Sequence, residues 1–279
     1  MALTKVINDL ADLNQSGSTN ALKGCAGTTA EQPASTSDIE YLIVGGGGMA
    51  MGDGSGGGGA GGLLTGITSV YHGTPTVITV GEGAPAKSTG DQCCGPAPGN
   101  GNDSGFNGIR ALGGGSAVWR YAAAGSWVVY TQSNGGGSGA GGGHIQTGTS
   151  ASDIGAPGDG VSGQGNIGGL SVIMGSLPYN TGGGGGAGAV GGAGTSLQSG
   201  NGGSGRDMQT FISNTNATTA GVGEVIASEV WFAGGGGGGG NAGVGCGSLS
   251  YAGTGGKGGG GDGSNTSGTN GSDGLDTTG

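Results

Sequence analysis

Residues 40–48 read EYLIVGGGG, and residues 52–62 continue as GDGSGGGGAGG. The first stretch passes within one residue from large aromatic and β-branched side chains, which favour strands, to residues that have no side chain. Glycine then recurs to the end of the chain, and 82 of the 279 residues are glycine, against about 7% in ordinary proteins. Residues 1–44 hold only Gly17, Gly24 and Gly27. This contrast predicts a domain boundary close to Gly45.

We therefore divide the chain into two parts. Residues 1–38 are predicted to be an N-terminal docking helix followed by a connector, and residues 39–279 a glycine-rich domain that opens with a strand at residues 39–44. Within this domain, glycine blocks alternate with short apolar segments such as residues 76–80 and 127–131. This alternation argues against a flexible glycine linker, and the absence of a strict glycine triplet excludes collagen.

An ordered glycine domain has an energetic difficulty, because glycine loses more backbone freedom on folding than any other residue and buries no side chain. Backbone hydrogen bonds must offset that cost. In the polyproline II conformation, a threefold extended helix, every N–H and C=O points outward and needs a partner when it is buried. We expect a mainly irregular and β fold: an array of polyglycine II helices with short β-strands, preceded by the N-terminal helix.

The predicted helix covers residues 3–13, LTKVINDLADL. Its apolar residues repeat at heptad spacing while Asp9 and Asp12 fall on the other face, a pattern typical of an amphipathic helix. Eleven residues are too few for an isolated stable helix, so the apolar stripe either folds back on this chain or docks against sister chains or another protein; we favour docking. The candidate docking residues are Leu3, Val6, Leu10 and Leu13.

The charge pattern narrows the function. The chain has 7 basic and 17 acidic residues and a net charge of −10. Nucleic-acid binding needs clustered Lys and Arg, and none is found, so we expect no nucleic-acid partner. No apolar run is long enough to span a bilayer, and Met1–Leu13 lacks the basic and apolar regions of a secretory signal. We expect synthesis in a cytoplasm without export by that route.

The residues that could perform chemistry form no recognisable site. Cys25, Cys93, Cys94 and Cys246 lack a C-x-x-C spacing, so metal binding by Cys93 and Cys94 with a histidine has little support. His72 and His144 stand in no triad context, and a glycosidase-like carboxylate pair cannot be read from sequence. The strand and glycines at residues 41–52 lack the helix that a dinucleotide-binding motif requires. We expect no enzyme activity, no cofactor and no metal.

The strand and glycine block at residues 40–48 resembles the opening of the glycine-rich domain of bacteriophage tail-fibre and tail-tip proteins. The likeness continues at residues 56–66, at Thr76–Gly81, and in the closing blocks at residues 234–240 and 255–263. In architecture the chain resembles the polyglycine adhesins of T-even-like phages. This resemblance implies a sandwich of polyglycine helices that presents loops to a host surface, a location in the virion, and attachment of the N-terminus to other tail or fibre proteins.

The polar loops and the few aromatic residues supply candidate contact residues, since aromatic side chains dominate interface hot spots. Polar loops are predicted at residues 91–110, 147–168 and 206–219. Residues 117–131 carry four aromatic side chains, which either seal the glycine array as a hairpin or form an exposed patch; Trp231 and Phe232 are predicted to belong to a buried strand. The candidate receptor-binding residues are Phe106, Arg110, Trp119, Tyr121, Tyr179 and Tyr251.

The sequence thus predicts a phage adhesin that binds a bacterial surface receptor, lipopolysaccharide or an outer-membrane protein, without turnover, and that can form a homo-oligomer such as a trimer. One alternative is a purely structural appendage or decoration protein. Another is an ice-binding or cell-wall glycine-rich protein, although the threonines lack the regular period that a flat ice-binding face requires.

Overall fold

The computed structural model of the chain describes the following residues: 5–6, 36–50, 54–85, 99–117, 132–143, 155–173, 179–241, 251–265 and 271–279. The described fold is mostly non-helical, with short antiparallel strands, one helix and no closed barrel. In chain order the elements are β1 (Lys5–Val6), β2 (Thr36–Val44), β3 (Leu63–Tyr71), β4 (Ile78–Thr79), β5 (Ser104–Phe106), β6 (Ile109–Ala111), β7 (Val172–Ile173), β8 (Tyr179–Asn180), β9 (Arg206–Asp207), α1 (Asn214–Ala220), β10 (Glu224–Ile226), β11 (Glu229–Phe232) and β12 (Gly240–Asn241).

The described strands form four small antiparallel sheets, with the orders β1-β2-β3, β4-β5-β6, β12-β8-β7 and β10-β11-β9. The longest pair is β2 with β3, which we call the ribbon. Its register runs from Val44 opposite Leu63 at the base to Thr36 opposite Tyr71 at the tip. The base is buried and the tip is exposed, so the ribbon projects from the glycine segments. The predicted strand at residues 39–44 is confirmed as the inner part of β2.

The N-terminal prediction is corrected where the structure describes it. Lys5 and Val6 form strand β1 opposite Leu42 and Tyr41 of β2, whereas the sequence pattern predicted a helix over residues 3–13. The physical reason is that the edge of β2 that does not pair with β3 offers backbone hydrogen-bond partners to Lys5 and Val6. An isolated helix of eleven residues, by contrast, is only marginally stable in water. The rest of that segment lies outside the described residues.

Hydrogen bonds of the glycine segments follow a period of three residues, and residues 182–187 show it clearly. Successive N–H groups donate in turn to carbonyl oxygens of three neighbouring segments, and the fourth N–H returns to the first segment; the N···O distances are 2.8 to 2.9 Å. A β-strand would alternate between two sides, so this backbone is extended but is not a β-strand. The bonds run from Gly182 to Gly142, Gly183 to Gly192, Gly184 to Gly236, Gly185 to Gly139, Gly186 to Ala189 and Ala187 to Ala233.

Residues 234–240 repeat the same rotation with another set of partners. Gly234, Gly237 and Gly240 donate to the carbonyls of Gly258, Gly261 and Ser264. The remaining N–H groups donate to two other segments, residues 200–203 and residues 55–58, and the donors to each segment are again three residues apart. The N–H groups of each such segment therefore donate to three neighbouring segments, and its carbonyls accept from further ones, as those of Gly182 and Gly184 do from Gly57 and Gly203. We call this set of interlinked glycine segments the array.

The array brings backbones so close together that a Cβ atom has no room. A Cβ on Gly57 would overlap the carbonyl oxygen of Gly236, and one on Gly184 would overlap that of Gly58. These atoms are fixed by hydrogen bonds and cannot move aside. Glycine is required at these positions because neighbouring segments of the chain approach so closely.

Polar side chains complete the hydrogen bonding at the margins of the array. The side-chain carbonyl of Gln164 accepts from the N–H of Leu112 at 2.8 Å, and Asp103 accepts from the N–H of Gly113 at 2.7 Å. Asp262 does the same for Gly255 at 2.7 Å. At these positions a side-chain oxygen takes the place of a neighbouring carbonyl, which matters most for the part-buried N–H groups of Leu112 and Gly113, because a buried N–H without a partner is costly.

Apolar side chains pack mainly at two places on the array. A larger cluster joins Leu42, Val44 and Leu63 at the base of the ribbon to the segment at residues 206–233. A smaller cluster places Ile43 against Phe106 and Ala111. The sheets therefore seal the array with ordinary hydrophobic contacts.

The segment at residues 206–232 contains β9, α1, β10 and β11, and we call it the helix-capped sheet. The sequence pattern predicted a polar loop at residues 206–219, and this is wrong. Ser213 caps α1 by accepting from the N–H of Asn216, and Gly221 ends it at φ 63°. These are standard helix boundary residues, and burial of Ala217 and Ile212 holds the helix on the sheet. Residues 104–106, within the predicted loop 91–110, likewise form strand β5.

Candidate functional site

Two of the exposed surfaces formed by the described residues carry a tyrosine that could contact a ligand. The first lies at the tip of the ribbon, where Tyr71 is 59% and Val77 79% exposed. A groove of about 280 Å³, which we call the distal groove, is lined there by Tyr71, by residues 74–77, and by Asn107 and Gly108. It joins the end of β3 to the turn between β5 and β6.

Two turns frame the distal groove. Asn107 at φ 50° and Gly108 at φ 78° form the β5–β6 turn, a conformation that Asn-Gly favours. The Asn107 amide donates to Thr68 Oγ1 and to the carbonyl of Ser69, both at 3.1 Å. The second turn follows β3, where the Thr74 N–H donates to the Tyr71 carbonyl at 3.4 Å. The two walls of the groove are thus linked by hydrogen bonds.

The second surface, which we call the outer face, lies on four adjacent glycine segments. Hydrogen bonds connect these segments in sequence: Gly191 donates to Ile167, Gly192 to Asn201 and Gly202 to Thr254. Their side chains reach solvent at three-residue intervals, as the period of the array requires. The exposed residues of the outer face are Ile167, Leu170, Val190, Ala193, Asn201, Tyr251, Thr254 and Lys257.

At its end the outer face meets the helix-capped sheet through Lys257. The Lys257 ammonium lies 4.6 Å from the centre of the Trp231 ring and 3.5 Å from Glu229 Oε2, and the Trp231 indole N–H donates to the same carboxylate oxygen at 2.9 Å. A cation over an indole ring is attracted by its quadrupole. The lysine therefore covers part of the Trp231 ring and orients the side chain.

The predicted contact residues differ in how exposed they are in the structure. Tyr251 is 52% exposed, on the outer face, while Phe106 is only 3% exposed. The expectation that Phe106 is available for binding is therefore wrong, because its side chain packs against Ile43 of β2. Arg110 is exposed on β6 and pairs with Asp103, whose other oxygen is held by Gly113.

Other predicted residues cannot be placed on either surface. Trp119 and Tyr121 lie outside the described residues, as do Leu3, Leu10 and Leu13, while Tyr179 and Val6 are described only by their strand pairing in β8 and β1. The predicted burial of the strand at Trp231 and Phe232 is confirmed for Phe232. Trp231 is half-buried, because neighbouring side chains of a strand point to opposite faces.

Within the described ranges, no group of three or more His, Cys, Asp or Glu side chains is arranged to hold a metal ion. Cys93, Cys94 and His144 lie outside those ranges. The described parts also contain no helix with the length and apolar character needed to cross a bilayer.

The predicted contact residues do not include Tyr71 or the residues that follow it. They read YHGTPTV at residues 71–77, just before the apolar segment at residues 76–80 ends. A Gly-Thr-Pro stretch between two apolar segments is a turn signal that could have marked the tip. The approach of Asn107 from the β5–β6 turn gives no local signal.

Comparison with known protein families identifies the same glycine-rich character that the composition shows. The family model of a glycine-rich domain matches residues 23–275, which is most of the chain. No curated protein and no solved structure matches the chain at a significant level.

Proposed function

Since this chain belongs to the glycine-rich domain family, we propose that it is a bacteriophage tail-fibre or appendage adhesin that binds a bacterial surface receptor. It acts by binding alone, without turnover or a cofactor. In this proposal the chain is made in the host cytoplasm and becomes part of the virion, where its N-terminal segment joins it to other tail or fibre proteins.

The observation that carries the proposal is the period of three in the array. Each residue from 182 to 187 donates to the next of three neighbouring segments, as expected if the segments are polyglycine II helices packed side by side. Such packing links peptide groups in three directions. It supports a stiff scaffold that holds exposed side chains at fixed positions, which lowers the entropic cost of binding.

The distribution of side chains also supports binding. Tyr71 and Val77 at the ribbon tip and Tyr251 on the outer face are large, apolar and exposed, and exposed apolar groups on a fixed scaffold are typical of interaction sites. The net charge of −10 disfavours nucleic acid as the partner. The resemblance to phage tail-fibre domains supplies the bacterial surface as the expected partner.

Binding to whole cells tests the proposal. Fluorescently labelled protein is added to a panel of bacterial strains, including the host of the phage that carries the gene, and phage adsorption is measured with excess free protein present. We expect saturable binding to susceptible strains and competition with adsorption. The control is a Gly184→Leu variant, which breaks the array. Failure of folded protein to bind any susceptible strain would favour the alternative, a purely structural appendage.

A further inference from the structure

We propose that the distal groove is a carbohydrate subsite that takes one neutral sugar unit of a surface glycan. The inference rests on the proposed function for the source of the glycan, the bacterial surface. The groove itself is assigned from its own shape, side chains and charge.

The groove has the mixed lining that a pyranose ring needs. The ring of Tyr71 and the side chains of Pro75 and Val77 supply apolar surface, while Thr74, Thr76 and Asn107 supply hydroxyl and amide groups. A pyranose carries C–H groups on its faces and hydroxyl groups around its rim. The volume of about 280 Å³ lies close to the lower end of small-ligand pockets, about 300 Å³, which suits one sugar ring better than a folded peptide.

The polar groups of the groove are held in place before any ligand arrives. Both amide protons of Asn107 are directed to the ribbon, at Thr68 and Ser69. This leaves the side-chain carbonyl oxygen of Asn107 as an acceptor for a sugar hydroxyl. Because β3 and the β5–β6 turn are fixed relative to each other, little side-chain freedom is lost on binding.

The charges around the groove select a neutral sugar. None of the described side chains that line it is charged. On the adjoining exposed face of the ribbon, Asp38 and Glu40 are exposed, and Asp38 accepts from Ser69 at 2.6 Å. These carboxylates and the net charge of −10 repel phosphorylated or acidic sugars, and within the described ranges the groove lining has no basic side chain to offset this.

The test uses the full chain and a set of neutral methyl glycosides of hexoses and N-acetylhexosamines, with a uronic acid glycoside as the charged comparison. Binding is measured by saturation-transfer NMR and titration. We expect at least one neutral glycoside to bind and the acidic one to bind at least tenfold more weakly. Tyr71→Ala should weaken binding at least tenfold, and Thr76→Val several-fold.

Leu275→Ala is the matched control, because Leu275 is 54% exposed, close to the 59% of Tyr71, but does not line the groove; it should leave glycoside binding unchanged. Thermal melting of each variant shows that it remains folded. Absence of binding by every neutral glycoside, or equal binding by the Tyr71→Ala variant, would overturn the subsite.

The two proposals fail in different ways. If the wild type and the Tyr71→Ala variant bind cells equally well and neither binds glycosides, the groove assignment is wrong and the adhesin proposal stands. If glycosides bind in the groove but susceptible cells are not bound, the adhesin proposal is wrong and the sugar subsite stands.

Discussion

The array and the helix-capped sheet adjoin within one chain, and their interiors are built from different groups. Around Gly184 the interior consists of peptide groups: its N–H donates to Gly236 and its carbonyl accepts from Gly203, both at 2.8 Å. In the helix-capped sheet the interior consists of the side chains of Ile212, Val230 and Phe232. Hydrogen bonds at close approach hold the first together, and burial of apolar area holds the second.

This difference predicts opposite responses to a small change in size. At the closely packed positions of the array, such as Gly184, an added carbon atom meets fixed backbone, so glycine is the only residue that fits there. In the helix-capped sheet a removed carbon atom leaves a cavity. The following substitutions test the comparison.

The largest effect is expected for Gly184→Ala. The new Cβ would overlap the carbonyl of Gly58, which costs about 1–3 kcal/mol by overpacking. Separating the segments also weakens buried hydrogen bonds, at about 1–3 kcal/mol each. The free energy of unfolding, measured by urea denaturation, should therefore fall by about 4 kcal/mol or more. A variant as stable as the wild type would contradict the close packing of the array.

A smaller loss is expected for Val230→Ala in the helix-capped sheet. Val230 is fully buried, and the loss of its methyl groups together with the cavity should cost about 2 kcal/mol. Val225, its cross-strand partner in β10, is 39% exposed. Val225→Ala is the matched control and should cost less than about 0.5 kcal/mol. Equal losses in the two variants would argue against a side-chain core on that face of the sheet.

The cap of α1 should contribute less again. Ser213→Ala removes the acceptor for the N–H of Asn216, which should lower stability by about 1 kcal/mol. Ser213→Asn keeps an acceptor at the same position and should restore most of the loss. Chemical denaturation of both variants measures the difference, and the prediction fails if alanine is as good as asparagine.

The smallest effect is expected for Gly47→Ala, although Gly47 also belongs to a glycine block. A Cβ at this position would have the carbon of Gly279 as its nearest neighbour, at 3.5 Å, which is an ordinary contact. Stability should change by less than about 0.5 kcal/mol or rise by about 0.4–1 kcal/mol, because alanine restricts the unfolded chain. A loss as large as that of Gly184→Ala would show that close approach is not the reason for glycine in the array.

Sequence reasoning located several parts of this molecule correctly. The strand at residues 39–44 stands out because a β-branched run meets a glycine block, and it lies within β2. Phe232 is buried as predicted and Tyr251 is exposed. Each of these depends on local composition and on the neighbouring residues along the chain.

Other parts depend on contacts between distant segments. Phe106 reads as a loop residue but is buried by Ile43, and α1 lies in a polar stretch whose few apolar residues give a weak helical period. The distal groove needs Asn107 to meet β3, which lies more than thirty residues earlier. No single stretch of sequence encodes such a meeting.

Composition alone sets the kind of interior that this protein has, because 82 glycines cannot build a core of side chains and must satisfy their peptide groups with one another. Which segment pairs with which, for example Gly57 with Gly182, becomes clear only in the folded chain. Every glycine offers the same donor and the same acceptor, so composition gives no preference for one partner over another. The hydrogen-bond partners in the array therefore depend on how all of its segments pack together and on the apolar sheets that seal it.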